Sequence, residues 1–461
     1  MSSGEVLGSL YNQNQYSTAR MRAVWTDENR LKVVCQAEIA LAHAMADYGK
    51  IPESAYKEIA EKLKPEKIDM RALRLVTGRT GHFLAGFVQY VQQFFDDDSG
   101  QFVHYGAASE DIEDTCYVLQ LKEAHAIIKE YMKDLLAVLA KLTKEHRDDL
   151  TAAIAHRTYA SLTTLGFKLG IFLNEQEHLL TNLEKLESFS LAGSLANVEG
   201  LSSMIGDHSD EVESKFCDYL GLATPEMYWH TQRERFADYL HVVTEISQSL
   251  GRLGKELLYM SQTQVKEFYE PYAPGRQGST VIPTSREPYM CEAMVNLSTV
   301  IRNEMSLMYD QMQVSGEKDT TVWRDLYVAL PEMTMYLSGS LNYAVNVLKN
   351  GYFDTKQMKK NLALDDGTMF SGSIMMVLSK KMGRENAHDL MYRLRVKADN
   401  EHQQLKDVML ADSELGKYLT NEQLKELMTP NAEKVKNADF KVNKILTLFS
   451  KHHPEIHWEE K

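Results

Sequence analysis

CYVLQLKEAHAIIKEYMKDLLAVLAKL, residues 116–142, decides the fold class of this 461-residue chain. From Val118, apolar side chains recur at Leu121, Ile128, Met132, Leu135, Leu139 and Leu142, in steps of three and four with His125 at the one polar step. A second stripe runs through Tyr117, Ala124, Ile127, Tyr131 and Val138. Side chains three and four apart share one face of an α-helix, so two stripes mean a helix covered on more than one side, as inside a bundle. The run after Tyr239 repeats the pattern at Leu240, Val243, Ile246, Leu250, Leu253, Leu257 and Met260. Proline placement agrees. None of the ten prolines lies between Pro65 and Pro225, or between Pro331 and Pro430. A proline inside a helix costs about 3 kcal/mol, so these gaps leave room for long helices. Period-two alternation is scarce, and the expected fold is all-α with almost no sheet.

Composition sets outer limits. Hydrophobic residues make up 44% and charged residues 25% of the chain, an ordinary globular balance. The net charge of −14 argues against nucleic acid or an anionic membrane as partner, since either needs a basic face. Cys35, Cys116, Cys217 and Cys291 are scattered without metal-finger spacing, which suits a reducing compartment. No secretory pattern opens the chain and no run approaches the roughly 18 apolar residues of a membrane span. The expectation is a soluble cytoplasmic protein.

Some features read as structural. His125, on an apolar stripe, reads as a satisfied core or interface histidine, and the tail His452, His453 and His457 as a solvated terminus. Gly251–Lys255 lacks the spacing of a phosphate loop. The clear irregular insertion is Glu270–Pro288, with Pro271, Pro274, Pro283, Pro288, Gly275 and Gly278 between two helical patterns. Such loops carry mobile chemistry or simply connect helices.

Three segments carry candidate chemistry. His104-Tyr-Gly-Ala-Ala-Ser109-Glu-Asp111-Ile-Glu-Asp114-Thr115 joins a turn to the long helix. Its Ser and Asp residues fit either helix capping or an anion site made of Ser109 and free helix N–H groups. His156-Arg-Thr158-Tyr-Ala-Ser-Leu-Thr-Thr-Leu-Gly166 sets a histidine ahead of a polar run, in helical surroundings. Gly278-Ser279-Thr280-Val-Ile-Pro-Thr-Ser285-Arg286-Glu287-Pro288 is followed four residues later by Glu292. A Gly-Ser-Thr turn can aim backbone amides at the serine oxygen and ease its ionisation. A hydrolase GxSxG elbow is absent, so proton transfer is favoured over acyl transfer.

In these segments, and along most of its length, the chain resembles the adenylosuccinate lyase/fumarase/argininosuccinate lyase superfamily. His104–Thr115 is similar to its HxGxTSxDxxDT motif, with Ala108 where Thr is usual, and His156–Gly166 to THxQxAxPTTxG. Tyr16–Asn29 resembles the first helix. Trp229-His230-Thr-Gln-Arg233-Glu-Arg235, Gln262–Val265 and the spacing from Trp323 to Leu330-Pro331-Glu332 resemble the 3-carboxymuconate cycloisomerase branch. The family loop GSSxMPxKxNP here reads GSTVIPTSREP, with Ser285 at the lysine position and Glu287 at the asparagine position. That changes the local charge by −2 and disfavours a dicarboxylate held in the usual way, unless Arg286 compensates.

The resemblance implies a three-domain fumarase/aspartase-like fold: 1–103 N-terminal, 104–350 a central long-helix bundle bearing loop 270–288, and 351–461 C-terminal. It implies a 20-helix core in a homotetramer, with each site shared among three subunits. It implies β-elimination through a carbanion stabilised as an aci-carboxylate, with Ser279 as base and His156, held by Glu292, as acid. Implied substrate contacts are His82, Ala108, Ser109, Thr158, Arg233, Thr280, Arg286, Glu287 and Arg324. No metal or organic cofactor, nucleic acid or membrane is implied, only a small carboxylate substrate. The expected enzyme is a C–N or C–O lyase; a carboxymuconate-type cycloisomerase, an adenylosuccinate lyase and a catalytically lapsed structural homologue are the alternatives. Against adenylosuccinate, Gln15 stands where the bacterial enzymes carry a phosphate-holding Arg, and Glu317–Arg324 replaces their phosphate-holding segment.

Overall fold

Helix accounts for 69% of the chain, about twice the usual globular share. The computed structural model describes residues 6–195, 205–273, 275–276, 278–319 and 324–458. Pro274 and the 320–323 part of the segment read for phosphate contacts, Trp323 included, lie outside them. The main helices are α1 (Asp27–Asp47), α2 (Met70–Thr80), α3 (Phe83–Val91), α4 (Ser109–Glu145), α5 (Leu165–Lys185), α6 (Glu234–Ser261), α7 (Tyr289–Asp310), α8 (Asp325–Asn350), α9 (Ser371–Met382), α10 (Arg384–Glu401) and α11 (Lys436–His452).

The two-stripe reading of α4 holds, with a difference between the stripes. This 37-residue helix, about 55 Å long at 1.5 Å per residue, buries Val118, Leu121, Ile128, Met132, Leu135 and Leu139 completely. On the second stripe Ala124 and Ile127 are buried, while Tyr117, Tyr131 and Val138 are half-buried. The α6 stripe is buried from Leu240 to Met260. Truncating one such leucine to alanine costs about 2–5 kcal/mol. His125 is a satisfied buried histidine: Nδ1 lies 3.1 Å from the Tyr239 hydroxyl and Nε2 2.9 Å from Glu187.

The chain divides into two compact units. One comprises Met1–Met132, His178–Arg252 and Ala293–Ala344. In it, Thr26 caps α1 through the Asn29 N–H, and Asp69 caps α2 through the N–H groups of Arg71 and Ala72. Gly81 ends α2 at φ 68°, a left-handed conformation that glycine adopts without a Cβ penalty. The short gap to α3 is thereby set, with His82 as the N-cap of α3.

The other unit comprises Lys133–Glu177, Leu253–Glu292 and Val345–Lys461. Its C-terminal core joins Leu362, Phe370, Ile374, Leu378, Leu390, Leu394 and Leu405. Two features of this unit correct the sequence reading. His156 does not sit in helical surroundings. Leu150–Ala155 (β1) and Thr158–Thr164 (β2) form an antiparallel hairpin, and its Ala152, Ile154, Tyr159 and Leu162 pack on that core. The hairpin escaped prediction because its turn is His156-Arg157 rather than a glycine or asparagine pair, and burial along it does not alternate cleanly. A second, minimal pairing joins Phe268–Tyr269 (β3) to Tyr352–Phe353 (β4). The tail is a solvated terminus only in part, with His452 and His457 exposed. His453 is buried, and His452 Nδ1 lies 2.7 Å from the buried carboxylate of Glu177, because Phe449 draws the end of α11 into the unit.

Candidate active site

The first unit carries the motif at the start of α4. Glycine is required at 106: its φ is 79°, and a Cβ there would meet Ile205 at 2.5 Å. Asp111 Oδ2 accepts the Ala108 N–H at 2.9 Å, a side chain on the first turn reaching back to the residue before the helix. Glu110 is buried and paired with Lys318 at 2.6 Å. Glu113 pairs with Arg30 at 3.1 Å and accepts from the Tyr327 hydroxyl at 3.1 Å. Thr115 bonds both the carbonyl and the N–H of Ser194. Capping and core pairing therefore occupy the acidic residues of the motif. Ser109 is half-buried at the first position of α4, beside Ala108.

Asp114 is the electrostatic centre of this region. Fully buried, it accepts from Arg233 Nη1 at 3.0 Å and Nη2 at 3.2 Å, and lies 2.6 Å from His230 Nδ1. Burial alone would raise its pKa, but Arg233 and His230 outweigh burial and hold it below the ordinary value. Trp229, buried beside them, donates Nε1–H to the Gly193 carbonyl. Arg233 is thus committed to Asp114 inside the unit. His82 is half-buried, its Nδ1 accepting the Ala85 N–H at 3.3 Å. Arg324 is exposed.

The second unit places His156 at the tip of the β1–β2 hairpin, exposed, with Thr158 Oγ1 donating to the Ala155 carbonyl. Both turn residues are left-handed, His156 at φ 50° and Arg157 at φ 67°. This matches the twist of a two-residue hairpin but strains side chains with a Cβ, at about 1–2 kcal/mol each. Strain of this kind concentrates at functional positions.

The loop before α7 holds the candidate base. The N–H groups of Val281 and Ile282 donate to Ser279 Oγ at 3.2 and 3.1 Å. Two amides aimed at a hydroxyl oxygen favour its ionised form. Glycine at 278 allows the close return of the chain, for a Cβ there would meet the Ser285 carbonyl oxygen at 2.7 Å. Thr280 and Glu287 are exposed, and Arg286 lies 5.0 Å above the Tyr272 ring rather than reaching a carboxylate. A cavity of about 400 Å³ opens under the loop, lined by Lys266, Tyr269, Tyr272, Arg276, Arg286 and Glu287 among others. Glu292, on the first turn of α7, is exposed, and no hydrogen bond or ion pair joins it to His156 within the chain.

Sequence reasoning missed the pair Glu270–Arg276 at the base of this loop. Nothing local marks them, because their partners lie up to 21 residues away. No group of three or more His, Cys, Asp or Glu side chains among the described residues is placed to hold a metal ion. No helix among them is long and apolar enough to cross a membrane.

Comparison with known proteins shows the family. A family model described as lyase matches residues 13–302, and one described as adenylosuccinate lyase C-terminus matches 367–443. An N-acetyl-S-(2-succino)cysteine lyase of Dickeya dadantii is 32% identical over 94% of this chain and 95% of its own. One of the same name from Enterococcus italicus is 31% identical over 96% of each. Among solved structures, 3-carboxy-cis,cis-muconate lactonizing enzyme from Pseudomonas putida superposes with a TM-score of 0.86 at 27% identity, covering 96% of this chain and 98% of that one.

Proposed function

We propose that this chain, which belongs to the lyase family of the fumarase/adenylosuccinate lyase superfamily, eliminates a heteroatom leaving group from a 2-substituted succinate to release an unsaturated dicarboxylic acid. The observation that carries the reading is Ser279 Oγ under two backbone amides. Ser279 takes the proton beside a carboxylate, and the carbanion is held as an aci-carboxylate. The bond to the leaving atom then breaks, and His156 gives a proton to that atom, so that it departs as a neutral thiol or amine group. Ser109 and the adjacent N–H groups of α4, with His82 and Thr280, hold the carboxylates; Thr158, Arg286, Glu287 and Arg324 flank the substrate. Arg233 serves instead to position the start of α4 through Asp114.

Sulfur is the leaving atom we favour, ahead of nitrogen or oxygen. The relatives named for N-acetyl-S-(2-succino)cysteine support this, as does Gln15 in place of a phosphate-binding arginine. A thiolate, with a pKa near 8.5, also leaves more easily than an amine. The cycloisomerase alternative keeps the structural likeness to the lactonizing enzyme, but Trp229, His230 and Arg233, part of what suggested that branch, are core residues at 0–3% exposure.

The same reading makes the protein a homotetramer, with the three-part division 1–103, 104–350 and 351–461. The half-buried second stripe of α4 supplies contact surface. The exposed His156 of one subunit meets the exposed Glu292 of another. The test is ultraviolet detection of the conjugated acid released from N-acetyl-S-(2-succino)cysteine or adenylosuccinate, and of the loss of diene absorbance if 3-carboxy-cis,cis-muconate is lactonised. The thioether is turned over, adenylosuccinate stays below about 10⁴ M⁻¹s⁻¹, and Ser279→Ala and His156→Ala each lower turnover by about 10² or more. Near-native turnover by either variant refutes its role, and efficient turnover of adenylosuccinate refutes the preference for a phosphate-free, sulfur-linked substrate.

A further inference from the structure

The loop bearing Ser279 is tied at its base by one guanidinium. Glu270 opens the loop, and its side chain is 5% exposed. Glu270 Oε1 accepts the Cys291 N–H at 2.8 Å and Oε2 the Met290 N–H at 3.4 Å. These are first-turn amides of α7, so a carboxylate from 20 residues upstream caps that helix and complements its dipole. Arg276 Nη2 donates to the same carboxylate at 2.8 Å and to the Glu287 carbonyl at 3.0 Å. Its Nη1 donates to the Pro271 carbonyl at 2.6 Å, and the guanidinium lies 4.3 Å above the Tyr289 ring. A single planar fork therefore joins residues 270–271, before the loop tip, to 287–289, after it. The tip between them, with Ser279 under its two amides, projects from a fixed stem.

We propose that Arg276, backed by Glu270, is a positioning residue. It fixes the stem of the loop and the first turn of α7, so that Ser279 and Glu292, borne on either side of it, keep a set spacing. The inference rests on the reading of Ser279 as the base. The geometry suits arginine alone: an ammonium can pair with Glu270 but cannot also span two carbonyls and stack on a ring. Because the Arg276 hydrogen bonds described go to Glu270, Pro271 and Glu287 of the stem, its loss is expected to act by misplacing the base.

The test compares Arg276→Ala, Arg276→Lys, Glu270→Gln, Ser279→Ala and the Arg276→Ala/Ser279→Ala double variant. All are full-length, assayed by release of the conjugated acid from N-acetyl-S-(2-succino)cysteine and by hydrogen exchange resolved to segments. Arg276→Ala lowers kcat about 10²-fold, the cost of a misplacement near 1 Å, with KM changed by less than about threefold. Lysine restores part of kcat. The double variant is no slower than Ser279→Ala, since a residue acting through the serine has nothing left to act on. Exchange of the Met290 and Cys291 amides quickens in Arg276→Ala while α10 is unchanged. If Arg276→Ala does not fold, Glu270→Gln, which keeps one acceptor oxygen for the α7 amides but loses the charge and the other acceptor, carries the same expectations. Native kcat in Arg276→Ala beside an inactive Ser279→Ala overturns the clamp and leaves the reaction standing. Native kcat in Ser279→Ala, or no turnover of the thioether by the wild type, overturns the reading of the reaction. Hydrogen exchange then judges the clamp alone, and unchanged protection of Met290 and Cys291 refutes it.

Discussion

Replacing Arg233 with methionine keeps the length of the side chain and removes the charge that Asp114 is built around. Asp114 is fully buried and keeps only His230, at 2.6 Å, of the two donors described for it above. Removing one partner of a buried ion pair costs about 3–5 kcal/mol, because the remaining charge cannot return to water. A compact unit of about 150–250 residues loses roughly 2–4 °C of melting temperature per kcal/mol. The expected fall is then at least about 6 °C. The control is Arg20→Met, which breaks the exposed Arg20–Glu130 pair, half open to solvent on both sides; that loss stays within about 1 kcal/mol. The double variant Asp114→Asn/Arg233→Met regains much of the deficit, since no charge is left unpaired. The effect also has a pH signature. The folded pKa of Asp114 is depressed, so its contribution is present above the unfolded value of 3.8 and disappears as pH falls through the lower folded value. The gap between wild type and Arg233→Met is therefore full at neutral pH and closes in strong acid. Thermal unfolding followed by circular dichroism at several pH values measures it. An Arg233→Met melting temperature within about 2 °C of wild type at pH 7 would refute the argument.

Three further outcomes are expected. Burial and the neighbouring Asp210 raise the Glu213 carboxyl from 4.5 to about 7, so the wild type loses stability as pH rises from 4.5 through 7. Glu213→Gln should match it at pH 4 and exceed it at pH 8 by an amount on the order of 1–3 kcal/mol; equal urea midpoints at pH 8 would contradict this. All four cysteines are buried, and burial pushes the Cys35, Cys116 and Cys217 thiols up to about 12. A thiol reagent at pH 8 should then label the native protein far more slowly than the unfolded one, and prompt stoichiometric labelling would show an open thiol. Light scattering at micromolar concentration should give the mass of four chains, and a monodisperse monomer would end the shared-site reading.

Sequence periodicity was enough for the all-α class and for α4 and α6. A helix brings together residues three and four apart, so its burial pattern is written locally and a proline-free stretch shows where it can run. The loop at 270–288 was legible for the same reason, through its prolines and glycines, and the turn that aims amides at Ser279 followed from Gly278-Ser279-Thr280. Tertiary structure alone decided the rest. The His156-Arg157 turn carries no turn-forming residue; packing of the hairpin on the C-terminal core holds both residues left-handed. Arg233 read as a substrate contact until Asp114, 119 residues away, was placed against it. His453 read as solvated until packing of Phe449 buried it, and the exposed His452 gave no sign of its partner Glu177 on α5, 275 residues away. Arg276 and Glu270 gave no signal because a helix cap normally comes from the adjoining residue, and here it comes from across the loop. A buried charge is satisfied by whichever partner the fold brings within about 3 Å. Sequence spacing holds no record of that partner.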